Sequence, residues 1–295
     1  MHVATVIANP AGPHFSKEEL GAIADHLGAS SAKADWLADG FAADLPLETP
    51  PAPAAIVAAR AKADAHDLDL VVQEAAGRRK RFLIADMDST MIEQECIDEL
   101  AAEIGIKDKI AAITARAMNG EIAFEPALRE RVGLLTGLPE TIVGTVIAER
   151  ITYAKGGKTL VATMRKNGAH TALVSGGFTV FTGPIGADLG FHETRANRLI
   201  AENGVLTGAV GEPILGAEAK VAALQEIAAA RGLSASDVIA VGDGANDLPM
   251  LQFAGTGVAL HAKPKVAASA PHRVDRGDLT ALLYIQGYRR NEFAA

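Results

Sequence analysis

Four short apolar runs, each stopping on small or acidic residues, constrain the fold of this chain more than any other feature: FLIAD (82–86), TALVS (171–175), DVIAVGD (237–243) and TGVAL (256–260). Apolar runs without polar alternation are the form of strands covered on both faces, as parallel sheets require. Helical spacing fills the intervals. KTLVATMRKNG closes on Gly168 and EAKVAALQEIAAARG on Gly232, each a glycine stop. This order predicts an α/β doubly wound parallel sheet. Between the first two runs, the mostly helical segment 92–154 far exceeds the dozen or so residues that a crossover needs, so it reads as an inserted helical cap.

Upstream of Phe82 the pattern is different. HVATVIA (2–8) has strand character, and SKEELGAIADHLG (16–28) has helical spacing with Ser16 as N-cap and Gly28 as stop. Asp39-Gly40 is a two-residue hairpin signal between two strand-like arms. A helix ending near His66 and the strand LDLVVQEA complete a βαββαβ order, which suits a ferredoxin-like α+β sandwich. The boundaries expected are 1–77 for this unit and 78–295 for the second, with its core in 78–91 and 155–295 and its cap in about 92–154. The basic run GRRKRF (77–82) has no interleaved aromatic residues and reads as a solvated linker.

Composition removes several classes of function. A net charge of -8 argues against nucleic acid as a partner, since such binding needs clustered Lys and Arg. The lone Cys96 excludes an internal disulfide, fits a reducing compartment and reads as a small buried hydrophobe. No stretch is long enough to span a bilayer, and the first residues lack the basic start of a signal peptide, so the expected location is cytoplasmic with no membrane partner.

In open parallel sheets, ligands bind beyond the carboxyl ends of the strands. The suggestive polar residues fall there. FLIAD brings Asp86 and Asp88; TALVS brings Ser175, Gly176 and Gly177; DVIAVGD brings Asp243, Gly244, Asn246 and Asp247; Lys220 starts the helix before that strand. Singly, each has an ordinary explanation, because aspartates cap helices, SGG makes a turn and lysines are solvated. Their convergence on one sheet edge is the signal. Carboxylates crowded around one lysine repel one another unless a divalent cation joins them. Oxygen donors without Cys or His point to magnesium rather than zinc. SGG reads as a hydroxyl plus backbone N–H groups at a helix start, a cradle for phosphate oxygens, and the ensemble describes phosphoryl transfer. GGKT (156–159) lacks the first glycine of a P-loop, and GDGAND has Asp247 where a dinucleotide motif needs glycine. His170, His192, His261 and His272 have no ligand spacing and read as structural.

DMDST, SGG, Lys220 and GDGAND, in that order, resemble the motifs of the haloacid dehalogenase (HAD) superfamily. The likeness narrows to its phosphoserine phosphatase branch. DMDSTMIEQECIDELA, AMNGEIAFEPALRERV, VSGGF, GDGANDLPML and the tail HAKPKV to GDLTALLYIQGY carry it from about residue 80 onward, whereas the first eighty residues resemble regulatory ACT-like extensions only loosely. The resemblance implies that Asp86 is the nucleophile that becomes phosphoaspartate and that Asp88 is the acid, then the base, in hydrolysis of O-phosphoserine in serine biosynthesis. It also implies that Asp86, the Asp88 backbone carbonyl and Asp243 hold magnesium with Asp247 behind them. Ser175, Gly176, Gly177 and Lys220 then hold the phosphate, and Asn246 helps to position it. In the cap, Glu95 meets the substrate ammonium, Arg131 its carboxylate, and Met118 and Phe124 form an apolar lid. An arginine fork suits a carboxylate because it bonds both oxygens. Phosphate monoester hydrolysis demands accelerations of up to ~10²¹, of which acid catalysis supplies about 10²- to 10⁴-fold. Most must come from the covalent route, positioning and preorganised positive charge. The rival expectations are a phosphatase or phosphotransferase for another small phosphorylated amino acid, and a non-catalytic amino-acid sensor. Pairing with a second copy into a homodimer is a further expectation.

Overall fold

The computed structural model describes residues 1–118 and 121–294, apart from the side chains of Ala117 and Met118. The chain begins with β1 (His2–Ala8), α1 (Lys17–Leu27), β2 (Asp35–Ala38), β3 (Ala42–Leu47), α2 (Pro53–Ala65) and β4 (Leu68–Glu74). Ser16 caps α1 as expected, its hydroxyl accepting from the Glu19 N–H while the Glu19 carboxylate accepts from the Ser16 N–H. The four strands form one antiparallel sheet in the order β2-β3-β1-β4, the ferredoxin-like arrangement that the βαββαβ order predicts.

The second part opens with β5 (Phe82–Ala85) and passes into α3 (Cys96–Glu103), α4 (Lys107–Met118), α5 (Phe124–Gly133) and α6 (Ile142–Glu149), the inserted helical segment. There follow α7 (Gly157–Lys166), β6 (His170–Phe178), α8 (Thr179–Leu189), β7 (Glu193–Asn197), β8 (Leu199–Glu202), β9 (Val205–Val210) and α9 (Ala217–Ala230). The chain ends with β10 (Val238–Gly242), α10 (Leu248–Phe253), β11 (Thr256–Leu260), α11 (Pro264–Ser269), β12 (His272–Val274) and α12 (Ala281–Ile285). A six-stranded parallel sheet has the order β12-β11-β10-β5-β6-β7. Its strands are buried on both faces. Phe82 and Ile84 of β5 join Leu224 and Ile227 of α9 on one side, while Leu83 and Ala85 join Leu160 and Ile185, from α7 and α8, on the other.

Two features were not foreseen. The β8–β9 hairpin leans on the cap, where Leu206 exchanges backbone hydrogen bonds with Gly137 and Leu138. The segment GRRKRF is also not a solvated linker. Arg78 pairs with the buried Asp44 at 2.6 Å, Arg79 lies over the Tyr288 ring and bonds Glu292, and Lys80 donates to the Ser236 carbonyl. The physical reason is that the antiparallel sheet has helices on only one face and buries the other against the second part. Phe41 meets Tyr284 there at 5.8 Å between ring centres, and one apolar core runs continuously from Val6 to Tyr288.

Asp69 of β4 holds this junction. Its buried carboxylate accepts backbone N–H bonds from Asp275, Arg276 and Gly277, across more than two hundred residues of sequence. Charge-assisted bonds to one buried acceptor leave several donors orphaned when it is removed. Asp69→Ala is expected to lower the unfolding free energy by about 3 kcal/mol, with no loss of secondary structure below the transition. Urea unfolding followed by circular dichroism checks this, and an unchanged midpoint would contradict it.

Candidate active site

The parallel sheet ends in a cluster of buried charge. β5 stops at Asp86, whose N–H still donates to the Val241 carbonyl, so the aspartate is fixed by the last rung of the sheet. One carboxylate oxygen, Oδ1, accepts from the Met87 N–H at 2.8 Å and contacts Lys220 Nζ at 2.7 Å. Lys220 is wholly buried in the first turn of α9, and it also contacts Asp247 Oδ1 at 2.5 Å. The other Asp247 oxygen accepts from the Gly244 N–H. Carboxylate oxygens of Asp86, Asp243 and Asp247 all lie within 4.8 Å of one another.

These groups titrate abnormally for visible reasons. Burial, then the charge of Asp247, raises the Asp86 carboxyl well above its ordinary value, although Lys220 opposes the change. Asp243 is pushed up to about 6 by burial, Asp247 and Glu95. Burial alone would lower the Lys220 ammonium, but Asp247 and Asp86 outweigh it and raise it. Three carboxylates against one buried cation leave uncompensated negative charge. Their all-oxygen donor set suits a hard divalent cation.

Asp88 has a different environment from Asp86. Its Oδ1 accepts from the Cys96 N–H at the start of α3, and its Oδ2 faces the Ser175 hydroxyl at 3.5 Å. Burial, followed by the charge of Glu95, pushes it up to about 7. Glu95 in turn accepts from the Ser89 hydroxyl. Arg131, half-buried on α5, is lowered by desolvation and held up by Asp98, Glu95 and Asp88, which places it in the same electrostatic neighbourhood. It donates to the Ala127 carbonyl and to Thr114.

Ser175-Gly176-Gly177 belong to the end of β6 rather than to a helix start, a correction to the expectation from sequence. The Ser175 hydroxyl oxygen accepts the Gly177 N–H, so that donor is already engaged. A Cβ on Gly177 would stand 2.7 Å from Asp88 Oδ2 and 3.0 Å from Ser175 Oγ. The ring of Phe124 lies over this turn, 3.5 Å from where a Cβ of Gly176 would be, so the cap reaches the strand ends. Asn246 is half-buried and folds back toward Gly244. Met118 ends α4, but its side chain lies outside the described residues.

Sequence reasoning missed two participants. Thr90 Oγ1 donates to Asp243 at 3.1 Å, joining the loop after β5 to the loop after β10. Its place in DMDST, two residues after Asp88, was the available signal. Asn197, buried at the end of β7, donates to the carbonyls of Gly176 and Leu215 and accepts from the Leu215 N–H. β7 is ETRAN, without an apolar run, so nothing marked it as a strand or Asn197 as its terminus. Two of the histidines read as scattered are neighbours: His170 and His192 stack at 4.8 Å, away from this cluster.

A parallel sheet whose first long-range strand ends on two aspartates, faced by a buried lysine and a second acidic loop, defines a phosphoryl-transfer class of hydrolase. The family model for haloacid dehalogenase-like hydrolases matches residues 83–252, and the chain belongs to that family. It is similar to a phosphoserine phosphatase of Lactococcus lactis, 47% identical over 204 residues that cover 69% of this chain and 94% of that protein. It is also similar to one from Archaeoglobus fulgidus, 42% identical over 76% of this chain but only 65% of the other, just under two thirds of its length. A crystal structure of a HAD family hydrolase from Salmonella enterica serovar Typhi superposes with a TM-score of 0.84 at 29% identity, covering 97% of this chain and 98% of that one, so the likeness includes the N-terminal sheet.

Two outcomes are expected. Gly177→Ala drives a methyl against Asp88 and Ser175 and should cut hydrolytic activity by about 10²-fold or more, the scale of a misplaced group, with circular dichroism unchanged; wild-type rates would contradict it. Glu95→Gln removes a negative charge that holds the Asp88 proton, so the Asp88 titration near 7 in the metal-free protein should move down. The ¹³C shift of the Asp88 carboxyl across a pH titration reads this, and an unmoved midpoint would exclude the electrostatic link.

Proposed function

We propose that the chain is a magnesium-dependent phosphoserine phosphatase, hydrolysing O-phospho-L-serine to L-serine and phosphate through a phosphoaspartyl intermediate. The observation that carries it is the contrast between two neighbouring aspartates. Burial raises both carboxyls, but Asp86 is paired with Lys220 at 2.7 Å, which favours its anion, whereas the charge of Glu95 adds to burial in pushing Asp88 up to about 7, so that a share of it keeps its proton at neutral pH. Two carboxyl groups with such unequal neighbours are suited to opposite acid and base roles.

In the first step, the Asp86 carboxylate attacks phosphorus, the bond from phosphorus to the serine oxygen breaks, and Asp88 delivers its proton to that oxygen. In the second, Asp88 as carboxylate takes a proton from water. The water oxygen attacks the phosphoaspartate, and the Asp86 carboxylate leaves with its electron pair. Lys220 balances the negative charge of the transferring group, and Ser175, Gly176 and Gly177 line its approach. Asp86, the Asp88 carbonyl and Asp243 would hold magnesium with Asp247 behind them. Bound magnesium supplies positive charge that draws electron density from phosphorus.

Specificity belongs to the inserted segment, about 92–154. Arg131 is the carboxylate fork for the amino acid and Glu95 its ammonium partner, with Phe124 closing over the turn at Gly176. Asn246 adds a free amide beside the phosphate. Support comes from the electrostatic proximity of Arg131, Glu95 and Asp88 and from the similarity to phosphoserine phosphatases across both core and cap. No helix among the described residues is long and apolar enough to cross a membrane, and a buried free Cys96 suits the cytoplasm.

Phosphate release from O-phospho-L-serine, with and without magnesium, tests the reading. Asp86→Asn is expected to release no phosphate above about a thousandth of the parent rate while keeping its fold. Full activity in that variant would refute the nucleophile, and faster turnover of O-phosphothreonine than of O-phosphoserine would refute the substrate.

A further inference from the structure

β6 and β7 are in register at Val174 and Arg195 and meet again at Phe178 and Asn197. Between those pairs β6 advances from 174 to 178 while β7 advances only from 195 to 197, and the surplus is the turn Ser175 to Gly177 that borders Asp88. The ladder is open there. The Gly176 carbonyl finds its partner in a side chain instead, where Asn197 Nδ2 donates to it at 2.8 Å.

The same side chain closes a second gap. Beyond Asn197 the chain leaves the sheet as the β8–β9 hairpin and returns at Leu215, next to Gly216, the N-cap of α9. Asn197 Oδ1 accepts from the Leu215 N–H at 2.6 Å and Nδ2 donates to the Leu215 carbonyl at 3.2 Å, so one amide shuts the foot of this excursion. Both amide hydrogens and the carbonyl oxygen are used, in a residue only 2% exposed. That fixes how the amide points, since the reverse would set its oxygen against two carbonyls.

Each partner leads to the acidic cluster by a short route. Gly177, next to Gly176, packs against Asp88 and Ser175. Gly216, next to Leu215, accepts the Lys220 N–H on its carbonyl, in the turn that carries the buried ammonium. No backbone hydrogen bond among the described residues joins these two segments directly. The cap rests on the same joint. One edge of the Phe124 ring lies 3.5 Å from where a Cβ of Gly176 would be, and the opposite edge 3.5 Å from that of Gly216, so the ring spans both segments. The hairpin beyond meets the cap backbone at Gly137, Leu138 and Glu140, and Arg129 of the cap pairs with Glu212 on its return leg.

We propose that Asn197 is a positioning residue for phosphoryl transfer: its amide stands in for the missing rungs of the sheet, holds the 175–177 turn in place against the lysine helix, and gives the cap aromatic a fixed seat. It acts through the backbone alone, since all three of its bonds go to main-chain groups. The role rests on the phosphatase reading, but not on which phosphomonoester is the substrate. Asn197→Ala removes every bond, whereas Asn197→Asp keeps the shape and the acceptor for Leu215 and loses the pair of donors. Steady-state kinetics of the parent and both variants on O-phospho-L-serine and p-nitrophenyl phosphate, with magnesium, are set beside amide hydrogen exchange read by NMR. Expected is a fall in kcat of about 10- to 100-fold per folded molecule in each variant, with KM for O-phospho-L-serine within about threefold because Glu95 and Arg131 are untouched. In the parent the Leu215 amide, outside any helix or strand, should exchange slowly; in Asn197→Ala it should exchange fast while β1 is unaltered. A kcat within about twofold of the parent in the folded variants overturns the role, and so does a rise in KM with kcat intact, the mark of lost ground-state binding. A rapidly exchanging Leu215 amide in the parent overturns the clamp itself, whether or not the variants fold. A parent that hydrolyses neither ester refutes the phosphatase reading and this role with it, a failure distinct from an active parent whose variants match it.

Discussion

The buried ammonium of Lys220 is the interaction on which the site depends. It touches Asp86 at 2.7 Å and Asp247 at 2.5 Å, and all three side chains are buried. Burying a lone ammonium costs several kcal/mol, and burying a carboxylate costs about as much. Each therefore requires the other, and removing one partner strands a charge. The pair is not chiefly a device for stability, since apolar residues of similar size fill such space as well or better. It fixes one oxygen of Asp86, Oδ1, between the Met87 N–H and the lysine ammonium.

From that pair the architecture follows outward. Lys220 can reach the sheet edge because α9 begins there, packing Leu224 and Ile227 onto the face made by Phe82, Ile84 and Ala240. Asp247 can reach it because the turn after β10 folds back through the Gly244 N–H. Asn197 then ties the turn at Gly176 to Leu215, just before α9, so the end of β6 and the approach to the lysine helix share one hydrogen-bonded staple. Three loops from β5, β6 and β10 are thereby held in register by side chains rather than by the sheet ladder, which has ended. Positioning of this kind matters because small misplacements of catalytic groups are costly in rate.

Legibility in the sequence followed the periodicity of each element. The strands that became the buried centre of the parallel sheet were plain, because FLIA, VIAVG and TGVAL offer unbroken apolar runs. Edge strands were not: β7 reads ETRAN and β12 reads HRV, with little apolar character, because an edge is covered less and its side chains serve local polar contacts. The acidic and phosphate-facing loops were legible as motifs, and the structure brings Asp86, Asp88, Ser175, Lys220, Asp243 and Asp247 together. What the sequence could not display were partnerships across long separations, such as Thr90 with Asp243 or Asp69 with the loop at 275–277. Nothing local distinguishes an aspartate that solvates itself from one that receives three distant N–H groups. GRRKRF was misread for the same reason, since its carboxylate partners Asp44 and Glu292 lie far away in the chain.

The N-terminal sheet is better understood as part of the enzyme's frame than as an appended arm. An independent module would cover both of its faces or expose one, whereas this sheet shares a continuous core with α12 through Phe41 and Tyr284. Its ties are also placed unevenly. Arg289 to Asp35 and Arg273 to Asp64 are partly solvated ion pairs of small individual weight, but the Asp69 carboxylate is buried and grips backbone rather than side chains. Gripping backbone fixes where a loop lies, and this loop is the one on which the cap exit is fastened at Lys155. The stiffness of the cap's connectors is set by what they rest on. The N-terminal sheet thus supports the loop on which the cap exit rests, without contributing any side chain to the acidic cluster.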